Sequence, residues 1–250
     1  MAPSTFKTFV YRSIYLSVFF LLLSPLYMYF SHDVTVLKKS YPHLKKSNND
    51  VSYEIRDTRP KSWVKLKNIS RYVRWAIILS EDWSFYHHDG IDIQQIRVAV
   101  SEIFSEGRFR GASTITQQMV KNIFLTEDRT IWRKVHEMIL AQKVERALSK
   151  DRILEIYLNC IEFGPGIYGI HQASYHYFRK HPSALEPREG AFIAMLLPSP
   201  KKYYVSYRKK QLTPFARKRI HAILEKMRMG KVLSTNQYEV QKNSKLAWEK

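Results

Sequence analysis

The stretch Gly111-Ala-Ser-Thr-Ile-Thr-Gln-Gln-Met-Val-Lys-Asn-Ile-Phe-Leu125 packs hydroxyls, amides and one ammonium onto one face of a short amphipathic helix. Thr114 and Gln117 stand at the spacing of a capping box, which predicts a helix start near Ser113, with Gly111 just ahead easing the turn. At 3.6 residues per turn Thr114, Gln117, Gln118 and Lys121 share one side, while Ile115, Met119 and Ile123 form a second stripe. A polar face of this kind either meets solvent or grips an oxygen-rich ligand, and the stretch alone does not choose.

Outward from it, apolar residues recur at helical spacing over about 69–81, 92–105, 114–124, 131–149, 151–159, 168–178, 187–197 and 214–229. Turn residues separate these runs: Gly90, Gly107 with Gly111, Gly164-Pro165-Gly166, and Pro198 with Pro200. Strand signals are sparse. Residues 31–60 read as a polar, lysine-rich linker with one short strand at Val51–Ile55. The expected fold class is therefore mainly α, with at most a minor β element. Tyr177 and Phe178 are expected in the core, and the helix from Lys150 to Asn159 reads as scaffold with Asn159 capping its end.

A chain of 250 residues with 45% hydrophobic content can build one good core or two small ones, and its composition excludes disorder. The formal charge of +19 implies an anionic partner: nucleic acid, anionic lipid or a phosphorylated substrate. The basic region after Pro198 reads as a solvated surface or a contact with anionic lipid. A single cysteine, Cys160, excludes an internal disulfide and a multi-cysteine zinc site; it reads as a small buried hydrophobe.

From Ile14 to Phe30 the chain is almost all apolar, interrupted only by Ser17, Ser24 and Pro25. Extended back to Phe9, with Arg12 snorkelling, it reaches the ~20 residues that a bilayer requires. No small-x-small cleavage site follows, so an uncleaved anchor is expected. Lys7 and Arg12 on one side face Lys38, Lys39, Lys45 and Lys46 on the other. That count favours a cytoplasmic domain, yet large domains translocate against such a bias, so charge leaves orientation open.

Two constellations could carry chemistry. The apolar run Trp75–Leu79 delivers Glu81 and Asp82 at the end of a buried helix, where desolvation would raise a carboxyl pKa and suit a general base. An acidic pair there also opposes the helix dipole, which calls for a reason; the alternative is a surface carboxylate pair. On the helix starting near Ile131, Glu137 stands between Arg133 and Lys134 at i−4 and i−3. A surface ion pair contributes only ~0.3–0.5 kcal/mol, so phosphate binding explains the cluster better than stability. His87 and His88 have no matching ligand set nearby and read as capping or packing residues. Leu140 replaces the second histidine of a zinc-protease motif, and the glycines at 164, 166 and 169 lack the Lys-Ser or Lys-Thr ending of a P-loop.

Taken together, these segments resemble the family 51 glycosyltransferases, and among them the monofunctional biosynthetic peptidoglycan transglycosylases. The resemblance rests on Glu81-Asp82 with Phe85, His88, Gly90 and Asp92; Gly111 to Gln118 with Lys121-Asn122; Arg133-Lys134 with Glu137; Lys150 to Asn159; and Tyr177-Phe178. Five motifs in order over about 100 residues are far more specific than any one of them, and weaker similarity continues to about Tyr238.

The resemblance implies a lysozyme-like, two-lobed helical domain on one N-terminal transmembrane helix, anchored in the bacterial inner membrane with the catalytic domain periplasmic. With the apolar segment and the polar stretch already read, the expected division is a cytoplasmic stub and transmembrane anchor (1–34), a linker (35–60), a glycosyltransferase domain (61–240) and a tail (241–250). The implied reaction polymerises lipid II into β-1,4-linked glycan strands with release of lipid diphosphate. Glu81 would be the general base and Glu137 the second essential carboxylate. Ser113, Thr114, Gln117, Gln118, Lys121, Asn122, Arg133 and Lys134 would bind substrate, and Glu102 to Arg110 would be mobile.

No cofactor is required by the resemblance, although it leaves room for a divalent cation such as Mg2+. The implied partners are lipid II, the growing glycan strand, the membrane and other cell-wall synthesis or division proteins, with no nucleic acid. Ala112 departs from a frequent glycine, and His171 and Ser174 depart from residues more often apolar or small. A lysozyme-like hydrolase and an inactive membrane-anchored scaffold are the rival readings. One tension attends the base: neighbouring cations would lower the pKa of Glu81, so desolvation must exceed them.

Overall fold

The computed structural model describes residues 11–13, 15, 23–47, 50–107, 111–126, 128 and 130–250. Much of the expected membrane segment, residues 14 and 16–22, lies outside the described residues, as do Arg108 and Arg110 of the stretch expected to be mobile. Among the described residues no helix is long and apolar enough to cross a membrane.

Residues 23–30 are helical (α1). At the end of this helix the chain is fastened to the domain: Lys143 donates to the carbonyls of Tyr29 and His32 at 2.7 and 2.6 Å, and Ser31 Oγ lies 2.8 Å from His136 Nε2. An antiparallel hairpin follows, β1 (Tyr41–Ser47) with β2 (Asp50–Arg56). The strand expected at Val51–Ile55 is therefore present, but it has a partner in what read as linker. With Lys45, Lys46 and Ser47 exposed and His43 and Leu44 half-buried, β1 lacks the in-out alternation that marks a strand in sequence.

The body is helical: α2 (Arg71–Glu81), α3 (Ile93–Glu106), α4 (Ile115–Phe124), α5 (Ile131–Ala147), α6 (Lys150–Cys160), α7 (Ile170–Phe178), α8 (Pro187–Leu196), the short α9 (Pro200–Tyr203) and α10 (Val205–Arg208), α11 (Pro214–Met229) and α12 (Thr235–Asn243). A two-stranded turn, β3 (Glu162–Gly164) with β4 (Ile167–Tyr168), occupies the Gly-Pro-Gly cluster. Every residue of α8 is buried, because α2 and α11 cover it. The second group is α4 packed on α5 and α6.

Local chemistry sets the helix ends. Thr114 and Gln117 form the expected capping box, with Thr114 as N-cap, and the hydroxyls of Thr130, Ser149 and Thr213 accept a first-turn N–H at the starts of α5, α6 and α11. Asn159 does not cap α6 as expected: it lies inside the helix, and its side chain bonds both the N–H and the C=O of Val64 at 2.8 and 2.9 Å. Tyr177, Phe178 and Cys160 are buried. Residues 244–250 return to the body: Leu246 is buried, Trp248 packs on Phe192 and Tyr207, and Glu249 pairs with Arg188 and Arg217.

Candidate active site

The site is assembled where α2 ends and α4 begins. Asp82, only 6% exposed, turns its carboxylate away from its own helix and accepts the Ile115 N–H at 2.9 Å. The acid that opposed the dipole of α2 thus sits at the N-terminus of α4, where the same physics favours it. His88 completes the joint. Its Nδ1 accepts the Gly90 N–H at 3.1 Å, which leaves the ring hydrogen on Nε2 to bond Asp82 at 2.9 Å. Lys150 holds the loop by donating to His88 O at 2.5 Å while pairing with Glu145. Gly90 itself has φ +85° and faces Ala141 O, so a Cβ there would lie 2.9 Å from that oxygen.

With Asp82 fixed, Glu81 is directed into a cleft that it lines together with Trp83, Gln95, Ser113 and Lys226. Gln118 Nε2 donates to Glu81 Oε2 at 3.2 Å, and Gln118 Oε1 accepts from the Tyr157 hydroxyl at 2.8 Å. Burial raises the pKa of Glu81, outweighing the lowering by the Gln118 hydrogen bond and by Arg219 and Lys226; Asp82 adds to the rise. Burial likewise pushes the Tyr157 phenol well above its ordinary value, so it stays a donor to Gln118. Desolvation therefore exceeds the cations, which is the condition a base near neutrality requires.

The second constellation adjoins the first through Ser113. Lys134 Nζ donates to Ser113 Oγ at 3.0 Å and also pairs with Glu137, which is 2% exposed. Arg133 binds the other carboxylate oxygen at 2.5 Å. Both oxygens of Glu137 are thus taken by cations, which fixes Arg133 and Lys134 on one turn and leaves one net positive charge beside the cleft. Among the described residues no group of three or more His, Cys, Asp or Glu side chains is arranged to hold a metal ion.

The remaining sequence candidates divide. Thr114 and Gln117, expected to touch substrate, are each 2% exposed and committed within the protein. Thr114 Oγ1 donates to Gly90 O and accepts the Gln117 N–H, while Gln117 Oε1 accepts the Thr114 N–H. These bonds start α4 and hold it against the Gly90 loop, and Thr114 also lines the cleft at Glu81. Lys121 is exposed and Asn122 half-buried further along α4. Arg219 and Lys226 were not foreseen. They stand seven residues apart on α11, hence on one side of it, and bring cations to Glu81 from a segment that read as basic surface. The apolar period of 214–229 foretells the helix, but nothing local indicates its neighbour.

The transglycosylase family profile matches residues 48–228. Penicillin-binding protein 1F of Bacillus subtilis (strain 168) is 45% identical over 147 residues, which are 58% of this chain and 21% of that protein. A biosynthetic peptidoglycan transglycosylase of Nitrosomonas eutropha is 38% identical over 171 residues, 68% of each chain. One from Vibrio parahaemolyticus is 43% identical over 144 residues, 58% of this chain and 64% of that one. With the profile spanning most of the molecule and both constellations inside it, the chain belongs to the transglycosylase family of peptidoglycan glycosyltransferases.

Proposed function

We propose that this transglycosylase polymerises lipid II into β-1,4-linked glycan strands, with Glu81 as general base. The observation that carries the reading is the raised pKa of a carboxylate that points into a cleft shared with the Ser113–Lys134 end of a cationic cluster. Glu81 takes the proton from the 4-hydroxyl of the acceptor sugar as that oxygen bonds to the anomeric carbon of the donor. The bond from that carbon to the diphosphate breaks with inversion, and the electron pair leaves on the diphosphate oxygen. Arg133 and Lys134 stabilise the developing charge, aided by Lys121. Glu137 is a positioning residue for the first two.

Arg133 and Lys134 also favour transfer over hydrolysis of the finished polymer, since a hydrolase has no diphosphate to receive. A divalent cation such as Mg2+ would add to the same charge field, and assays with and without a chelator measure its share. The apolar segment 9–30 supports an anchor in the inner membrane, with the lysozyme-like catalytic domain periplasmic, where a lipid-bound substrate meets an enzyme confined to the same surface. A periplasmic reporter fused after Lys250 tests that orientation, and a cytoplasmic signal would contradict it.

The activity is tested by giving the purified full chain lipid II in detergent. The expected product is polymer that a muramidase cuts to β-1,4-linked disaccharide units. Intact lipid II after incubation, under conditions in which a known polymerase consumes it, would overturn the reading.

A further inference from the structure

A larger cavity, of about 460 Å3, lies past the N-terminal end of α2. Arg59, Lys61, Lys65, Lys67, His171 and His181 line it, with Trp63 and Val64 as its apolar surface. It shares no lining residue with the cleft at Glu81. The cleft takes Leu79 to Glu81 from the C-terminal end of α2, whereas the cavity takes residues 59–68 from the chain ahead of its N-terminus, and the eleven residues of α2 between them span about 16 Å.

Two separate parts of the chain bring these groups together. Residues 59–68 form the approach to α2, whereas His171 sits in the first turn of α7 and His181 follows its end. The chain is pinned here by Asn159, which holds Val64, and by the Ser70 N–H bonded to Pro182 O at 3.0 Å. The concavity is therefore built by contacts between distant parts of the chain, and its four Arg and Lys residues are exposed to solvent.

Its charge is of one sign. No carboxylate lines the cavity, and among the described residues none of Arg59, Lys61, Lys65 or Lys67 has an ion-pair partner. Glu155 bonds the Trp63 Nε1–H at 2.9 Å and the Leu66 N–H at 2.8 Å, but it is already paired with Arg152. A cleft of one charge focuses the field and concentrates counter-ions. His181 Nδ1 accepts the Ser183 N–H at 3.3 Å, leaving its Nε2–H free to donate. Gly169, the N-cap of α7, supplies no side chain to that helix end, which adds its partial positive charge. A lone carboxylate would leave most of this charge unanswered, while phosphate oxygens accept from several Lys and Arg donors at once.

We propose that this cavity binds a phosphate-bearing ligand carrying two or more negative charges, at a site separate from the reaction cleft. The ligand is either a soluble oligophosphate or a lipid headgroup, which share this chemistry. The proposal stands whether or not the chain polymerises lipid II. In support, burial and the nearby His181 hold the His171 pKa down, a bias that a bound anion would reverse.

The test uses the full chain labelled with 13C at histidine, in detergent micelles, titrated with sodium pyrophosphate and, at matched ionic strength, with sodium acetate. His171→Gln and His181→Gln assign the resonances. Pyrophosphate is expected to shift both resonances saturably and acetate to leave them in place. In Lys65→Ala/Lys67→Ala, two exposed positions whose change spares the core, the apparent affinity should fall at least about tenfold. Repeating the measurement in phosphatidylcholine nanodiscs with and without cardiolipin separates the sources. Movement on adding cardiolipin supports the proposal and names the headgroup; movement with pyrophosphate alone supports it and names the soluble anion. Silence in both arms, an equal response to acetate, or undiminished affinity in the double variant would overturn it.

Discussion

Gln118 donates to the Glu81 carboxylate at 3.2 Å and, through its other amide atom, is held by the buried hydroxyl of Tyr157. The amide orientation is thereby set by the core, so the hydrogen bond that restrains the pKa of Glu81 does not depend on solvent. Removing it in Gln118→Leu should raise that pKa further. The acidic limb of the pH–rate profile should move to higher pH, with activity near neutrality down by about tenfold. Tyr157→Phe, which frees the amide to turn, should give a smaller shift in the same direction. An unmoved limb in both variants would exclude this restraint.

Asp82 joins α2 to α4 by accepting from Ile115 N–H and His88 Nε2–H, all three groups lying inside the protein. Asp82→Ala strands both donors and should destabilise the fold by about 3 kcal/mol. Asp82→Asn keeps one acceptor but presents an amide donor to the other partner, so its cost should be smaller. Chemical denaturation of the three proteins checks the order.

Burial of Glu81 acts on stability as well as on catalysis. Its folded pKa lies above the ordinary glutamate value of 4.5, so the native state binds the proton more tightly than the unfolded one. Stability from this group is fully present below 4.5 and is lost as pH rises through the folded pKa. Glu81→Gln removes that penalty. The variant should melt higher than wild type near neutral pH, and the difference should shrink as pH falls through the folded pKa and be gone below 4.5. Thermal melts across the acid range read it out.

The chain end bears on stability through Trp248, whose ring centroid lies 5.1 Å from Phe192 and 5.4 Å from Tyr207. Trp248→Ala should cost about 3 kcal/mol. Glu249→Gln weakens the buried pairing with Arg188 and should also lower the melting temperature. A wild-type melting temperature in both variants would show that residues 244–250 contribute nothing to the body.

Much of the fold was legible because periodicity reports which face of a helix is covered. The runs expected at 69–81, 131–149 and 214–229 appear as Arg71–Glu81, Ile131–Ala147 and Pro214–Met229. The capping box of Thr114 and Gln117 was legible for the same local reason. β1 was not, since a strand with exposed lysines carries no period of two, and α12, with no buried residue, has no apolar stripe to find.

At the site, the Arg133, Lys134 and Glu137 cluster could be read because it lies within five residues of one helix. The direction of the Asp82 carboxylate and the arrival of Arg219 and Lys226 depend on α4 and α11 meeting the end of α2, which local spacing does not encode. Spacing grouped Thr114 and Gln117 with Gln118, but it does not encode that the first two are nearly buried and bonded to each other at the start of α4 while Gln118 touches Glu81.

The central claim is that Glu81 is the base. It is tested most directly by the single-turnover rate of Glu81→Gln with lipid II, in protein whose circular dichroism and melting show an intact fold. The amide keeps the size of the side chain and the contact with Gln118 but cannot take a proton, so the rate should fall by at least about 100-fold. A rate equal to wild type would contradict the account.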